Sequence, residues 1–211
     1  MMQEKINHQN LDIILDESFL NLSETNNLYE RCLNDISWQS SKIIMFGKKI
    51  NIPRLECWYG DYGCEYTYSG KSLKRFEFPN FLLDLRKRIE KKANTTFNSV
   101  LANLYRDGQD SMGFHADDEK ELGNNPVIAS ISLGENRPII FQNKKTKEKM
   151  TFDQPSGSLL IMQGQTQAHW KHAINKSKKV NKPRINLTLR NIITTCLLYT
   201  SDSADDMQCV D

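Results

Sequence analysis

The segment Arg184-Ile185-Asn186-Leu187-Thr188-Leu189-Arg190 constrains this chain most. As a strand it places Arg184, Asn186, Thr188 and Arg190 on one face and Ile185, Leu187 and Leu189 on the other. On the interior face of a barrel such polar residues are costly unless they bind something polar. The arginines stand roughly 20 Å apart at about 3.3 Å per residue. Their long side chains can lean toward a small diacid, which a guanidinium grips through bidentate hydrogen bonds. An edge strand with solvated arginines is the plain alternative.

The rest of the second half reads as short strands between turns. Strands are expected at 127–133, 138–142, from 150, at 158–162 and at 183–192, with a polar hairpin loop at 143–148 and turns at Gly134-Glu135-Asn136 and Pro155-Ser156-Gly157. Many short strands at this spacing indicate a double-sheet barrel of the jelly-roll type. Two helices precede it. One is expected within 21–38, capped by Ser23, with Leu28, Cys32 and Ile36 (or Leu33) at helical spacing. The other, 81–92, buries Leu82, Leu85 and Ile89 and turns Arg86, Lys87, Arg88, Lys91 and Lys92 mostly outward. The expected class is therefore α+β, mainly β: residues 1–96 belong to the same domain as a jelly-roll core at 97–193. Residues 194–211 continue no pattern and read as a disordered or non-native tail.

Composition narrows the setting. The chain has 211 residues, enough for one domain with a real core. No apolar run spans a bilayer, and residues 1–10 lack the apolar stretch of a signal peptide. The five cysteines form no CxxC pair, so reduced thiols in a cytoplasmic or nuclear compartment are expected and a zinc site is not. The net charge of +2 hides an asymmetry, because residues 194–211 carry Asp202, Asp205, Asp206 and Asp211 with no Lys or Arg. The body is thus more basic than the whole, which suits an anionic partner such as nucleic acid. A monomer is expected, since no long apolar helix face is left over.

His115-Ala116-Asp117 supplies the chemistry. Residues i and i+2 of a strand share a face, so both can bind one ion. A His-x-Asp pair with a distant histidine is the ligand set of a non-haem Fe(II) facial triad, which leaves metal positions open for O2 chemistry. Spacing leaves the third ligand open between His169 and His172, which an extended segment points to opposite faces. Alone, so short a pair reads first as a turn cap at His115 leading into an acidic loop at Asp117, Asp118 and Glu119.

The stretch NLYRDGQDSMGFHADDE, followed by HWKH and PRINLTLR, closely resembles the AlkB family of Fe(II)/2-oxoglutarate dioxygenases, above all the members that repair alkylated nucleic acids. The likeness covers roughly 13–193. It implies a double-stranded β-helix core and selects His172, in Trp170-Lys171-His172, as the third iron ligand beside His115 and Asp117. It further implies that Asn103, Tyr105, Arg184, Asn186 and Arg190 hold 2-oxoglutarate, with O2 as the other co-substrate. Leu189 stands where the family usually has Phe.

The same resemblance extends to a nucleotide-recognition lid in the N-terminal part. Phe46, with Gly47 and Lys48, matches a finger that enters the base stack. Tyr66, Thr67 and Tyr68 match an aromatic wall for a flipped base, and Asp118 matches an acid that contacts it. Lys48, Lys49 and Arg54 flank these as phosphate contacts would; plain core aromatics are the alternative for Phe46, Tyr66 and Tyr68. The implied function is oxidative demethylation of N-alkylated bases, such as 1-methyladenine and 3-methylcytosine, in DNA (possibly RNA). The alternatives are a dioxygenase of the same fold acting on RNA, protein or a small molecule, and a non-catalytic nucleic-acid-binding module.

Overall fold

The computed structural model describes residues 3–45, 47–64, 67–68, 71–72 and 74–193. The finger residue Phe46, the wall residue Tyr66 and the tail 194–211 lie outside the described residues.

The alternation seen in the sequence builds a two-sheet core. Its strands are β1 (Gln3–His8), β2 (Leu11–Asp16), β3 (Lys42–Met45), β4 (Lys48–Asn51), β5 (Leu55–Gly60), β6 (Thr67–Tyr68), β7 (Lys71–Ser72) and β8 (Arg75–Phe76). Then come β9 (Ser99–Tyr105), β10 (Met112–His115), β11 (Ile128–Gly134), β12 (Ile139–Asn143), β13 (Lys149–Phe152), β14 (Leu159–Gln163), β15 (Trp170–Ile174) and β16 (Arg184–Arg190). The large sheet runs β1-β2-β14-β11-β16-β9-β5-β8, and the small sheet β10-β15-β12-β13. From β9 onward the chain passes back and forth between these sheets, which is the jelly-roll winding. Two small antiparallel pairs, β3-β4 and β6-β7, stand apart from both.

Strands β5, β9, β11 and β14 of the large sheet contribute to two cores, one on each face. Ile185, Leu187 and Leu189 of β16 join Val100, Ala102 and Leu104 of β9 in a layer under the helices. That layer is completed by α1 (Leu22–Asp35) through Leu28 and Cys32, and by α2 (Asn80–Ala93) through Leu82, Leu85 and Ile89. Between the sheets lies a second core that includes Leu101, Ile128, Phe141, Leu160 and Trp170. Leu189 belongs to the first core and faces the helices, away from the cavity.

Three local expectations change. The first helix is capped by Asn21 instead of Ser23, in a capping box: Asn21 Oδ1 accepts from Glu24 N at 2.9 Å, and Glu24 Oε2 accepts from Asn21 N at 3.0 Å. Residues 3–16 form a hairpin that adds two strands to the large sheet. Its inner strand buries Leu11, Ile13 and Leu15, a period-2 pattern partly masked by Ile14. Residues 166–169 form one helical turn, α3, before β15 begins. No helix among the described residues is long and apolar enough to cross a membrane.

The Asp107-Gly108 turn that leads toward the His-x-Asp pair is closed against the 175–180 loop. Gly108 N donates to Val180 O at 2.9 Å, and Ser177 N donates to Gly108 O at 2.7 Å. A Cβ on Gly108 would lie 1.9 Å from Ser177 O, whereas one on Gly113 would meet nothing within 4 Å. Gly108→Ala is therefore expected to cost about 1–3 kcal/mol by overpacking, and Gly113→Ala to be close to neutral. Urea unfolding of the two variants checks the contrast.

Candidate metal and co-substrate site

β10 and β15 are neighbours in the small sheet, and their register sets His115 directly opposite His172. The imidazole centroids are 4.3 Å apart. Asp117 follows two residues after the strand and turns its carboxylate in beside them. The ligand-type atoms of the three side chains all lie within 4.8 Å of one another. Asp117 is fully buried and His172 nearly so. His169, the competing histidine, ends α3 and is exposed, with its carbonyl accepting from Lys144 N. The short helical turn thus separates the two histidines.

Hydrogen bonds hold these groups in metal-binding form. His115 Nδ1 lies 2.9 Å from Gly113 O. A carbonyl only accepts, so Nδ1 carries the proton and Nε2 presents its lone pair. Arg190 Nη2 donates to Asp117 Oδ1 at 2.7 Å, and Asp117 N donates to Gln167 Oε1 at 2.9 Å. Asp117 Oδ2 is 3.9 Å from His172 Nε2 and buried without a hydrogen-bond partner. An orphaned buried carboxylate oxygen facing two imidazoles has the donor chemistry of a metal site.

The electrostatics agree. Burial alone would raise the Asp117 carboxyl, but Arg190, then the two histidines, outweigh it and hold it down at about 2. Burial, then repulsion from His115, pushes His172 down to about 3, and burial lowers His115 as well. All three are ready as ligands near neutral pH.

Beyond the triad, the polar face of β16 lines the cavity as the alternation predicts. Asn103, Tyr105, Arg184, Asn186, Thr188 and Arg190 all line it together with the triad. Their roles differ. Arg190 is committed to Asp117. Arg184 donates from Nε to Ser132 Oγ at 3.0 Å and from Nη2 to Gln154 Oε1 at 2.6 Å. Its guanidinium carbon lies 5.4 Å from the Tyr105 ring centroid. Burial, opposed by Tyr105 and reinforced by Arg137, lowers Arg184 to about 10. Asn186 is turned to the sheet: its Nδ2 donates to Ser130 Oγ and Ile131 O, and its Oδ1 accepts from Thr188.

Of the residues expected to meet substrate, Arg54 departs most from its reading. It is buried, donates from Nε to Asn103 Oδ1 at 2.8 Å and lies 3.9 Å from Glu56. In this position it braces the cavity wall, where a surface phosphate contact would need an exposed guanidinium. Asp118 is exposed and its Oδ2 accepts from Lys144 Nζ at 2.9 Å. Gly47 makes the turn between β3 and β4 at φ +75°, a conformation glycine adopts at no steric cost. Lys48 opens β4, and Thr67 and Tyr68 form β6. Sequence reading missed Gln154, in a turn, and Gln167, in α3, which carry no periodic signal; it also missed Ser130 and Ser132, whose alternation with Ala129, Ile131 and Leu133 on β11 could have found them.

The profile of the 2OG-Fe(II) oxygenase superfamily matches residues 12–190, and the chain belongs to that superfamily. Within it, its relatives are AlkB homologues. It is 40% identical over 163 residues to the DNA oxidative demethylase ALKBH2 of Mus musculus, covering 74% of this chain and 68% of that one. It is 35% identical over 194 residues to the alpha-ketoglutarate-dependent dioxygenase alkB homolog 3 of Homo sapiens, covering 85% and 66%. For the ALKBH2 of Bos taurus the figures are 39% over 163 residues, 74% and 59%, so the chain spans about three fifths of that relative's length. The solved structure of OsALKBH1 has the same fold, with a TM-score of 0.64 at 16% identity over 88% of this chain and 99% of that one. The family uses Fe(II), 2-oxoglutarate and O2. The residues present fit these groups: a His-Asp-His set, half-buried at His115 and buried at Asp117 and His172, with an orphaned carboxylate oxygen, and a buried arginine in the same cavity.

The pKa directions set a pH dependence for the metal-free protein. Unfolded, a histidine takes up its proton below about 6.5; folded, His172 does so only near about 3. Between these values the unfolded state binds more protons, so stability rises with pH. Unfolding free energy is expected to fall as pH drops from about 6.5 toward about 3, and His172→Gln to flatten that slope. Urea titrations across the range measure it.

Proposed function

We propose that this chain is an Fe(II)/2-oxoglutarate-dependent oxidative demethylase of N-alkylated bases in DNA. The observation that carries this reading is the cluster of half-buried His115 with buried Asp117 and His172, opening on the same cavity as Arg184. The likeness to DNA oxidative demethylases supports the substrate class.

In this reading His115 Nε2, Asp117 Oδ2 and His172 Nε2 would hold Fe(II), and Arg184 would receive the far carboxylate of 2-oxoglutarate. Tyr105 and Asn103 complete the wall of that cavity. Fe(II) and 2-oxoglutarate, when bound, would supply with O2 the oxidation of an N-methyl group to hydroxymethyl, with succinate and CO2 as co-products and formaldehyde released from the hydroxymethyl group. The protein's part is to position and shield. Arg190 keeps Asp117 ionised and aimed; the Gly113 carbonyl fixes the His115 tautomer. The mostly buried lining of the cavity would limit the access of bulk water to the reacting centre.

A duplex substrate must be flipped, at a cost of a few kcal/mol that is least for a base that already cannot pair. Phe46 is proposed to fill the gap, as apolar wedges do, and Tyr66 and Tyr68 to stack on the base at about 1–3 kcal/mol each. Asp118 is proposed to meet the base at the exposed rim, with Gly47, Lys48 and Thr67 shaping the lid. The basic body suits DNA, a reducing intracellular compartment suits the free thiols of Cys32, Cys57 and Cys64, and a monomer suffices for the site.

The test is mass spectrometry of oligonucleotides carrying 1-methyladenine, incubated with Fe(II), ascorbate and 2-oxoglutarate. The expected result is loss of one CH2 unit that requires 2-oxoglutarate and disappears in Asp117→Ala. Phe46→Ala is expected to lose more activity on duplex than on single strands; equal losses would remove the finger from the account. Succinate without base repair would keep the dioxygenase and move its substrate to RNA, protein or a small molecule.

A further inference from the structure

Resting on the reading above, we propose that Gln154 is a co-substrate-binding residue, whose side-chain amide donates to the same distal carboxylate that Arg184 receives. Gln154 lies between β13 and β14, next to Pro155, in a turn that carries no functional pattern in the sequence. It is nonetheless 1% exposed and lines the cavity with the triad and Arg184.

The amide orientation follows from its neighbour. Arginine has only donors, so the Gln154 atom that meets Arg184 Nη2 at 2.6 Å must be the oxygen. The NH2 group is thereby aimed elsewhere. Gln154 Nε2 is buried and has no hydrogen-bond partner, and the same holds for Arg184 Nη1. Two buried orphan donors belong to two side chains that touch each other and line one cavity. An acceptor with more than one oxygen satisfies both, and a carboxylate is such an acceptor.

The charge at this end of the cavity has the matching sign. No carboxylate among the described residues lies in ion-pair range of Arg184. The second buried guanidinium nearby, Arg137, sits over the Tyr105 ring at 5.8 Å and spends its donors on the carbonyls of Asp107, Asp110 and Asn175. A buried cation without an anion calls for an anionic ligand. A glutamine adds a donor there without adding a third positive charge.

The backbone that carries the side chain is also anchored. Gln154 N donates to Asn136 Oδ1 at 3.1 Å, and Asn136 Nδ2 donates to Asp153 Oδ1 at 3.3 Å. These bonds tie the turn after β13 to the turn before β12, and the bond from Arg184 Nη2 to Gln154 Oε1 holds the side-chain amide itself. Such fixed donors bind with little ordering cost.

The experiment is anaerobic calorimetric titration of 2-oxoglutarate into the Fe(II)-loaded protein, for wild type, Gln154→Leu and Gln154→Glu. Removing one hydrogen bond to a charged group is expected to weaken 2-oxoglutarate by about ten- to a hundredfold in Gln154→Leu. Gln154→Glu is expected to weaken it further, because its carboxylate pairs with Arg184 and repels the ligand. Fe(II) affinity without 2-oxoglutarate should stay unchanged in both. Should Leu lower the melting temperature, Gln154→Met keeps the chain length and replaces it. Wild-type affinity in the variants overturns this role for Gln154, with water then satisfying its amide. No 2-oxoglutarate binding by the wild type overturns the co-substrate reading itself.

Discussion

The structure turns on the ion pair between Arg190 and Asp117. A fully buried carboxylate would ordinarily take up a proton and lose its value as a ligand. Here Arg190 holds it ionised, and the geometry leaves one oxygen, Oδ2, without a partner and facing two neutral imidazoles. The pair also joins the two sheets. Arg190 ends β16 in the large sheet, and Asp117 follows β10 in the small one. The chemistry of the site and the closure of the barrel therefore share one bond.

Around it the cavity is polarised along its length. The triad sits at one end and Arg184, with Gln154, Ser132 and Tyr105, at the other. A ligand able to chelate a metal at one end and offer a carboxylate at the other matches both ends, which describes a 2-oxo diacid. The two cores on either side of β16 supply the stiffness this needs. Burying Ile185, Leu187 and Leu189 under the helices fixes the strand, so its polar face is presented in a single register.

Much of this was legible in the sequence because β16 is strictly periodic. Four polar residues at every second position demanded a polar cavity, and they line one. The His-x-Asp pair was less direct: alone it reads as a turn cap, and Asp117 reaches His115 from just beyond the strand, not from within it. The third ligand was not legible: His169 and His172 are three apart, and an extended reading merely put them on opposite faces. What separates them is the turn α3, four residues with no cap signal, which leaves His169 outside and starts β15 with Trp170 and His172 inward. Gln154, Gln167 and Arg54 escaped for a related reason. Each acts through one tertiary hydrogen bond, and no local period encodes such a partner. The N-terminal hairpin was hidden because β1 is a polar edge strand and Ile14 interrupts the alternation of β2.

The most direct measurement is the yield of succinate and formaldehyde from one reaction containing a 1-methyladenine oligonucleotide, Fe(II), 2-oxoglutarate and O2. The account predicts that both form in equal amounts and that both vanish in Asp117→Ala. Formaldehyde that persists without 2-oxoglutarate, or in the absence of the Asp117 carboxylate, would contradict it.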